Sequence, residues 1–290
     1  MGVVVIGQIG CDLVLRTGAP PSASESTTVL QRKELLGGKG ANQAVGLAQL
    51  GVPVALIGVV GDDIAGAFVL EQAELDGIDI GGVVRRGATA LLIDLVAPPP
   101  RRMLLEDVPE SSLVQVADLD RSLLDSADTV SIQLQQPAAT ALAAARRGRR
   151  CGARVVADGA PPQDILADLL ASVDVMRADA AEVALIAGRT IGTVREAAEL
   201  AQDLLARGPE LVAIAVPDVG DLVAWSDGSE LFEFADVDVV DPTGAGDAFV
   251  AGLISALRDG AEPQRAGRRA AAAASATVQR LGGRPDLTSL

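Results

Sequence analysis

The chain has 290 residues, of which 49% are hydrophobic and 22% charged, with 31 glycines; this describes a folded α/β protein and excludes a disordered one. Its formal charge of -15 comes with no basic stripe, so a nucleic-acid backbone would be repelled. Histidine and tyrosine are absent, which removes Ser–His triads, histidine-ligated zinc and histidine acid–base chemistry, and leaves any reaction to carboxylates, lysines and backbone groups.

The chain opens on MGVVVIG, an apolar run with no basic leader and too short to span a bilayer, which predicts a buried strand over Val3–Ile6 and a cytoplasmic protein without membrane partners. Cys11 and Cys151, the two cysteines, have small or apolar neighbours and read as reduced core thiols. Thr17–Leu36, rich in Ser, Thr and Pro at its start, is expected to form an outlying strand pair.

Next comes Gly37-Gly38-Lys39-Gly40-Ala41-Asn42-Gln43, leading into a helix over 41–50. Adjacent glycines let a ligand approach the backbone, and Lys39 and Asn42 offer it a cation and an amide. The segment is not a P-loop, because Gly40 stands where a Ser or Thr should hold magnesium. Nor does Gly7-Gln8-Ile9-Gly10 complete the spacing of a dinucleotide fingerprint.

A strand over 54–60 and a helix over 64–75 follow, then a second interruption over 83–105 that contains the apolar run 90–96 and Pro98–Pro100. Beyond it strands over 129–134, 154–157 and 211–216 alternate with helices over 138–147, 165–171 and 194–206. This alternation means one domain with a mostly parallel sheet covered on both faces. The basic cluster Arg146–Arg150 reads as a solvated helix end, and Asp227–Gly228 as a hairpin turn between 222–225 and 231–234.

The last third is helical, with an alanine-rich run over 270–274, and carries the second glycine-rich segment, Asp241-Pro242-Thr243-Gly244-Ala245-Gly246-Asp247, which runs into an apolar helix. Small residues at a helix start leave amides free to face an anion, with the helix dipole adding to the attraction. Asp247, in the first turn, is placed to accept a proton from a hydroxyl while neighbouring amides stabilise a transferred phosphoryl group.

Together GGKGANQAVGLAQLG and DPTGAGDAFVAGL resemble the two signatures of the ribokinase-like, phosphofructokinase-B type carbohydrate kinases. Ile6-Gly7 followed by Asp12, and VGDD at Val60–Asp63, extend the resemblance over nearly the whole chain. It implies a three-layer α/β/α sandwich with a mostly parallel central sheet and a small β lid, drawn from about 13–36 and 83–105 of a single domain spanning 1–290.

It further implies ATP and magnesium as cofactors, with a monovalent cation such as K+ a common activator in the family, and a small sugar as partner; because the exposed strand edges of a lid need covering, a homodimer through the lid is expected. By motif match Asp12, Gly38, Lys39 and Asn42 would contact sugar hydroxyls, Gly244, Ala245 and Gly246 would form the anion hole beside Thr243, and Asp247 would be the base. Gln135 stands where the family has a sugar-contacting Glu. Asp179 and Glu182 stand in its Asn-x-x-Glu motif, with Glu182 acting on magnesium indirectly.

The chain departs from the pattern at Gly10, Gln135 and Asp179, and at Ala215-Val216-Pro217 where a Thr-x-Gly is usual; near the adenine the family position falls in the alanine run around Ala271. Two readings follow. One is an ATP-dependent kinase acting on a primary hydroxyl of a small sugar or polyol. The other is a catalytically impaired ligand-binding or regulatory protein of the same fold.

Overall fold

Val3–Ile6 (β1) is apolar at every position and buried on both faces, which puts it near the middle of a large sheet. The computed structural model describes residues 2–22, 26–98 and 101–290. β1 pairs in parallel with Val54–Val60 (β4) on one side and Thr129–Gln133 (β8) on the other. Asp79–Arg85 (β5) lies beyond β4, while Arg154–Asp158 (β9), Val175–Ala178 (β10) and Leu211–Val216 (β11) extend the sheet beyond β8, all parallel. An antiparallel hairpin of Gly220–Trp225 (β12) and Gly228–Glu233 (β13) completes the nine strands. Trp225 pairs with Gly228, so the turn residues are Ser226 and Asp227, one position earlier than the sequence suggests.

Alternate residues of each strand face opposite layers. Val3 and Val5 pack with helices Lys39–Gln49 (α1), Ile64–Leu75 (α2), Ala245–Arg258 (α8) and Pro263–Thr277 (α9). Val4 and Ile6 pack with Arg121–Ser126 (α3), Ala138–Arg150 (α4), Gln163–Leu170 (α5), Ala180–Ala187 (α6) and Val194–Leu205 (α7). The result is the three-layer sandwich expected.

A second sheet stands apart, in the order Val29–Gly37 (β3), Gly10–Thr17 (β2), Ala90–Ala97 (β6), Arg101–Asp107 (β7), with β2 and β6 parallel and the outer pairs antiparallel. It begins at Gly10, earlier than the sequence suggests. Val83–Arg85 instead belong to β5 of the large sheet, where Val83 and Val84 pack into opposite layers. Residues 23–25, and Pro99 and Pro100 of the proline run, lie outside the described residues.

Cys11 is buried on β2, but Cys151 is exposed, contrary to the expectation of a core thiol. It caps the C-terminus of α4, where its Sγ donates to Asp125 Oδ1 at 3.2 Å. The basic cluster beside it is a solvated helix end, with Arg146, Arg147 and Arg149 paired to Asp168, Asp125 and Asp174. Among the described residues no helix is long and apolar enough to cross a membrane.

Candidate active site

The carboxyl ends of β1, β8, β9 and β10 meet the N-termini of α1, α6 and α8, the place where open parallel sheets gather ligands. Gly244 turns the chain into α8 with φ of 75°, in the left-handed region, and a Cβ there would lie 1.9 Å from the carbonyl oxygen of Gly283. Only glycine fits. Asp241 ties the turn down: its Oδ1 accepts from the Thr243 amide at 2.9 Å and its Oδ2 from the Gly282 amide at 2.9 Å.

Asp247, in the first turn of α8, is 6% exposed, and its Oδ2 accepts from Asn42 Nδ2 of α1 at 3.0 Å. Beneath it lies a buried polar network. Gln43 Nε2 donates to Asp158 Oδ2 at 2.9 Å, Ser131 Oγ donates to Gln43 Oε1 at 2.9 Å, and Arg177 Nη1 donates to Asp158 Oδ1 at 3.0 Å. The Arg177 guanidinium passes directly against Gly246, where a Cβ would sit 2.6 Å from its nitrogen. A cation thus underlies the free amides at the start of α8.

On the opposite wall Lys39 Nζ donates to Glu182 Oε1 at 2.6 Å. The other oxygen of Glu182 accepts from the Asp179 amide at 2.8 Å, while Asp179 Oδ1 accepts from the Ala181 and Glu182 amides, a reciprocal cap on α6. Asp179 therefore serves the helix as a cap, a role that its carboxylate fills well.

These groups enclose a cavity of about 570 Å³. The sequence-derived residues converge on it: Asp12, Gly38, Lys39, Asn42 and Gln135, then Asp179 and Glu182, then the run from Thr243 to Asp247. Gln135 is exposed, whereas Gln133 and Gln136 on either side are buried; Gln133 Oε1 accepts from the Gln8 amide at 3.4 Å. A second pocket of about 290 Å³, largely apolar, is lined by Ala215, Phe232, Val237, Val239 and Ala271, with Asp221 among them. The two meet across Arg177, Pro242, Ala245 and Gly246.

Burial, then the nearby charge of Asp158, pushes the Asp247 carboxyl up to about 7, against the pull of Lys39, Asn42 and Arg177. Burial also raises Asp12, to about 8, with Asp94 and Asp247 adding to it. Lys39 is held protonated: burial works against its charge, but Asp158, Glu182 and Asp247 outweigh that cost. A near-neutral carboxyl beside a fixed cation and helix amides is equipped to take a proton while negative charge moves past.

Arg177, Asp158, Asp94 and Arg102 belong to this region but carry no sequence motif used above. For Arg177 and Asp94 the signal is a charged residue in an otherwise apolar stretch, Val-Met-Arg-Ala of β10 and Ile-Asp-Leu within β6.

The sequence profile of the pfkB family of carbohydrate kinases matches residues 2–289. The chain belongs to that family. This pfkB kinase is 27% identical to a ribokinase of Haemophilus influenzae over 98% of its own length and 94% of the relative's. It is 32% identical to an ATP-dependent ribose-1-phosphate kinase of Halopiger xanaduensis over 99% and 95%. Its fold is that of ribokinase from Thermotoga maritima, with a TM-score of 0.83 at 25% identity over 98% and 95% of the two chains. An Arabidopsis thaliana ribokinase solved with ribose and ATP shares the fold, with a TM-score of 0.80 at 24% identity over 97% and 93%. As a pfkB kinase the protein is an ATP-dependent carbohydrate kinase.

Proposed function

We propose that the enzyme transfers the γ-phosphoryl group of ATP to a primary hydroxyl of a small sugar or sugar-like polyol held in the larger cavity. The observation that carries this reading is Asp247: a buried carboxylate in the first turn of α8, oriented by Asn42, beside the Gly244–Gly246 amides. The adenine would lie in the apolar pocket by Ala215, Phe232 and Ala271, which puts the phosphates over the shared wall of Arg177, Ala245 and Gly246.

In the reaction Asp247 takes the proton from the acceptor hydroxyl, the hydroxyl oxygen forms a bond to the γ-phosphorus, and the bond to the bridging oxygen of ADP breaks. Charge developing on the equatorial oxygens meets the α8 amides and, beneath them, Arg177. Lys39, locked to Glu182, fixes the opposite wall. Among the described residues no group of three or more acidic or cysteine side chains converges as direct metal ligands. Asp179 and Glu182 would help hold a magnesium ion brought in with the phosphates, and the ion would supply charge neutralisation there.

The small sheet acts in this reading as a lid, since Asp12 and Asp94 on its inner face line the cavity and its closure would exclude water from ATP. Across β2, β6 and β7 its outer face is apolar, with Leu13 beside Ile93, Leu15 beside Leu95, and Leu105 and Met103 next in each row; on β3 the same rows end in Glu34 and Arg32. A second copy of the chain covering that face would make the enzyme a homodimer.

ADP release from MgATP across pentoses, ketohexoses and polyols tests the function, with Asp247→Asn as control. Acceptor-dependent turnover that vanishes in the variant is expected; undiminished turnover in the variant would sink the role of Asp247.

A further inference from the structure

Asp94 is an unusual residue for the middle of a lid strand. It sits on β6 between Ile93 and Leu95 and is 1% exposed, on the face that lines the cavity. One oxygen accepts from Arg102 of β7 at 2.5 Å; the other, Oδ2, is buried without a hydrogen-bond partner. On the neighbouring strand Asp12, 3% exposed, also keeps one oxygen, Oδ1, without a partner. β2 and β6 run parallel with Asp12 opposite Leu92 and Val14 opposite Asp94, so both carboxylates project from the same face. Unpartnered buried oxygens are costly unless something supplies a donor.

The charge on the cavity wall narrows what that donor can be. Its cations among the described residues are Lys39, Arg102 and Arg177, and each is already matched by a carboxylate: Glu182, Asp94 and Asp158. Glu106 and Asp179 add negative charge with no cation of their own among the ion pairs there, and Asp12 and Asp247 add more whenever they ionise. A second phosphate, brought in on the acceptor, would face this surplus without a free guanidinium or ammonium group to receive it.

We infer that Asp94, beside Asp12, is a specificity-determining residue that reads hydroxyls of an unphosphorylated acceptor and turns away sugar phosphates. The inference rests on the kinase reading and sharpens it, and it runs against the ribose-1-phosphate named for the Halopiger relative.

Calorimetric binding, measured with a non-hydrolysable ATP analogue present, separates this inference from catalysis. The probes are D-ribose, D-fructose, ribose 1-phosphate and fructose 1-phosphate, and steady-state KM is measured for any that turn over. A free sugar is expected to bind at least about tenfold more tightly than its phosphate, the scale of one hydrogen bond to a charged group. Asp94→Asn should weaken the free sugar about tenfold with little change in kcat and should strengthen the phosphate, because Arg102 is then released. Arg102→Met should weaken the phosphate further and leave the free sugar bound. A general disturbance of the lid would instead move both probes in the same direction in both variants. Tighter binding of a sugar phosphate by the unaltered protein, binding of neither free sugar, or unchanged preference in Asp94→Asn would each overturn the inference. Failure to phosphorylate any acceptor would count against the kinase reading alone.

Discussion

In the proposed reaction Asp247 would take its proton at a position where burial opposes its charge. With its carboxyl pushed up to about 7, it holds a proton through most of the acid range, so kcat/KM is expected to drop about tenfold per pH unit below neutrality and to level off above it. A flat profile between about pH 5 and 9 would assign the proton to another group. For stability the shift has the opposite consequence. The folded protein keeps a proton that the unfolded chain loses near 3.8, so between that value and about 7 the stability contributed by Asp247 declines as pH rises. Asp247→Asn is therefore expected to melt higher than the parent by several degrees near pH 8, and by less near pH 5, while turning over nothing. Arg177 carries the reverse kind of risk. Its guanidinium is buried against Asp158, so Arg177→Met should cost about 3–5 kcal/mol in denaturant unfolding by stranding that carboxylate. Adding Asp158→Asn should restore most of the loss, and a double variant no more stable than the single one would show that packing, not charge, is what Arg177 supplies.

At the scale of elements, the start of α8 would join nucleotide to acceptor in the proposed reaction, because Ala245 and Gly246 line both pockets. Gly246→Val would drive a branched side chain into the Arg177 guanidinium. The KM for ATP should rise at least about tenfold while free-sugar binding changes little, a split that steady-state kinetics on both substrates would reveal. This element, like α1, was legible in the sequence because its turn, its helix start and its chemistry fall within one short run of residues. The strands β1, β4 and β11 were legible for the same local reason, since each is a continuous apolar run. Where reading failed, the deciding contact was distant. β10 is four residues long with an arginine inside it, and it looks like a strand only once Asp158 of β9 stands beside that arginine. β5 was given in part to the lid because nothing in 83–85 announces that Val59 and Val60 are its partners. Asp94 shows locally only as one charge in an apolar strand; its meaning comes from Arg102 across a hairpin and Asp12 across a parallel pair.

Across the whole molecule, the small sheet presents two unlike surfaces, one with carboxylates facing the cavity and one with rows of leucine and isoleucine facing away. Ile93→Asp places a charge at the centre of the outer rows. If a second copy covers them, light scattering should give a dimer for the parent and a monomer for the variant; a monomeric parent would remove the homodimer proposal. A dimer built this way makes acceptor affinity a function of enzyme concentration. Asp12 and Asp94 belong to the sheet that such a partner would brace, whereas the apolar pocket is built largely from β11, β13 and α9 of the main body. Diluting the protein below its dimer dissociation constant should then raise the KM for the acceptor and leave that for ATP unchanged, so an assay run at trace enzyme would understate what the same molecules achieve in a crowded cell.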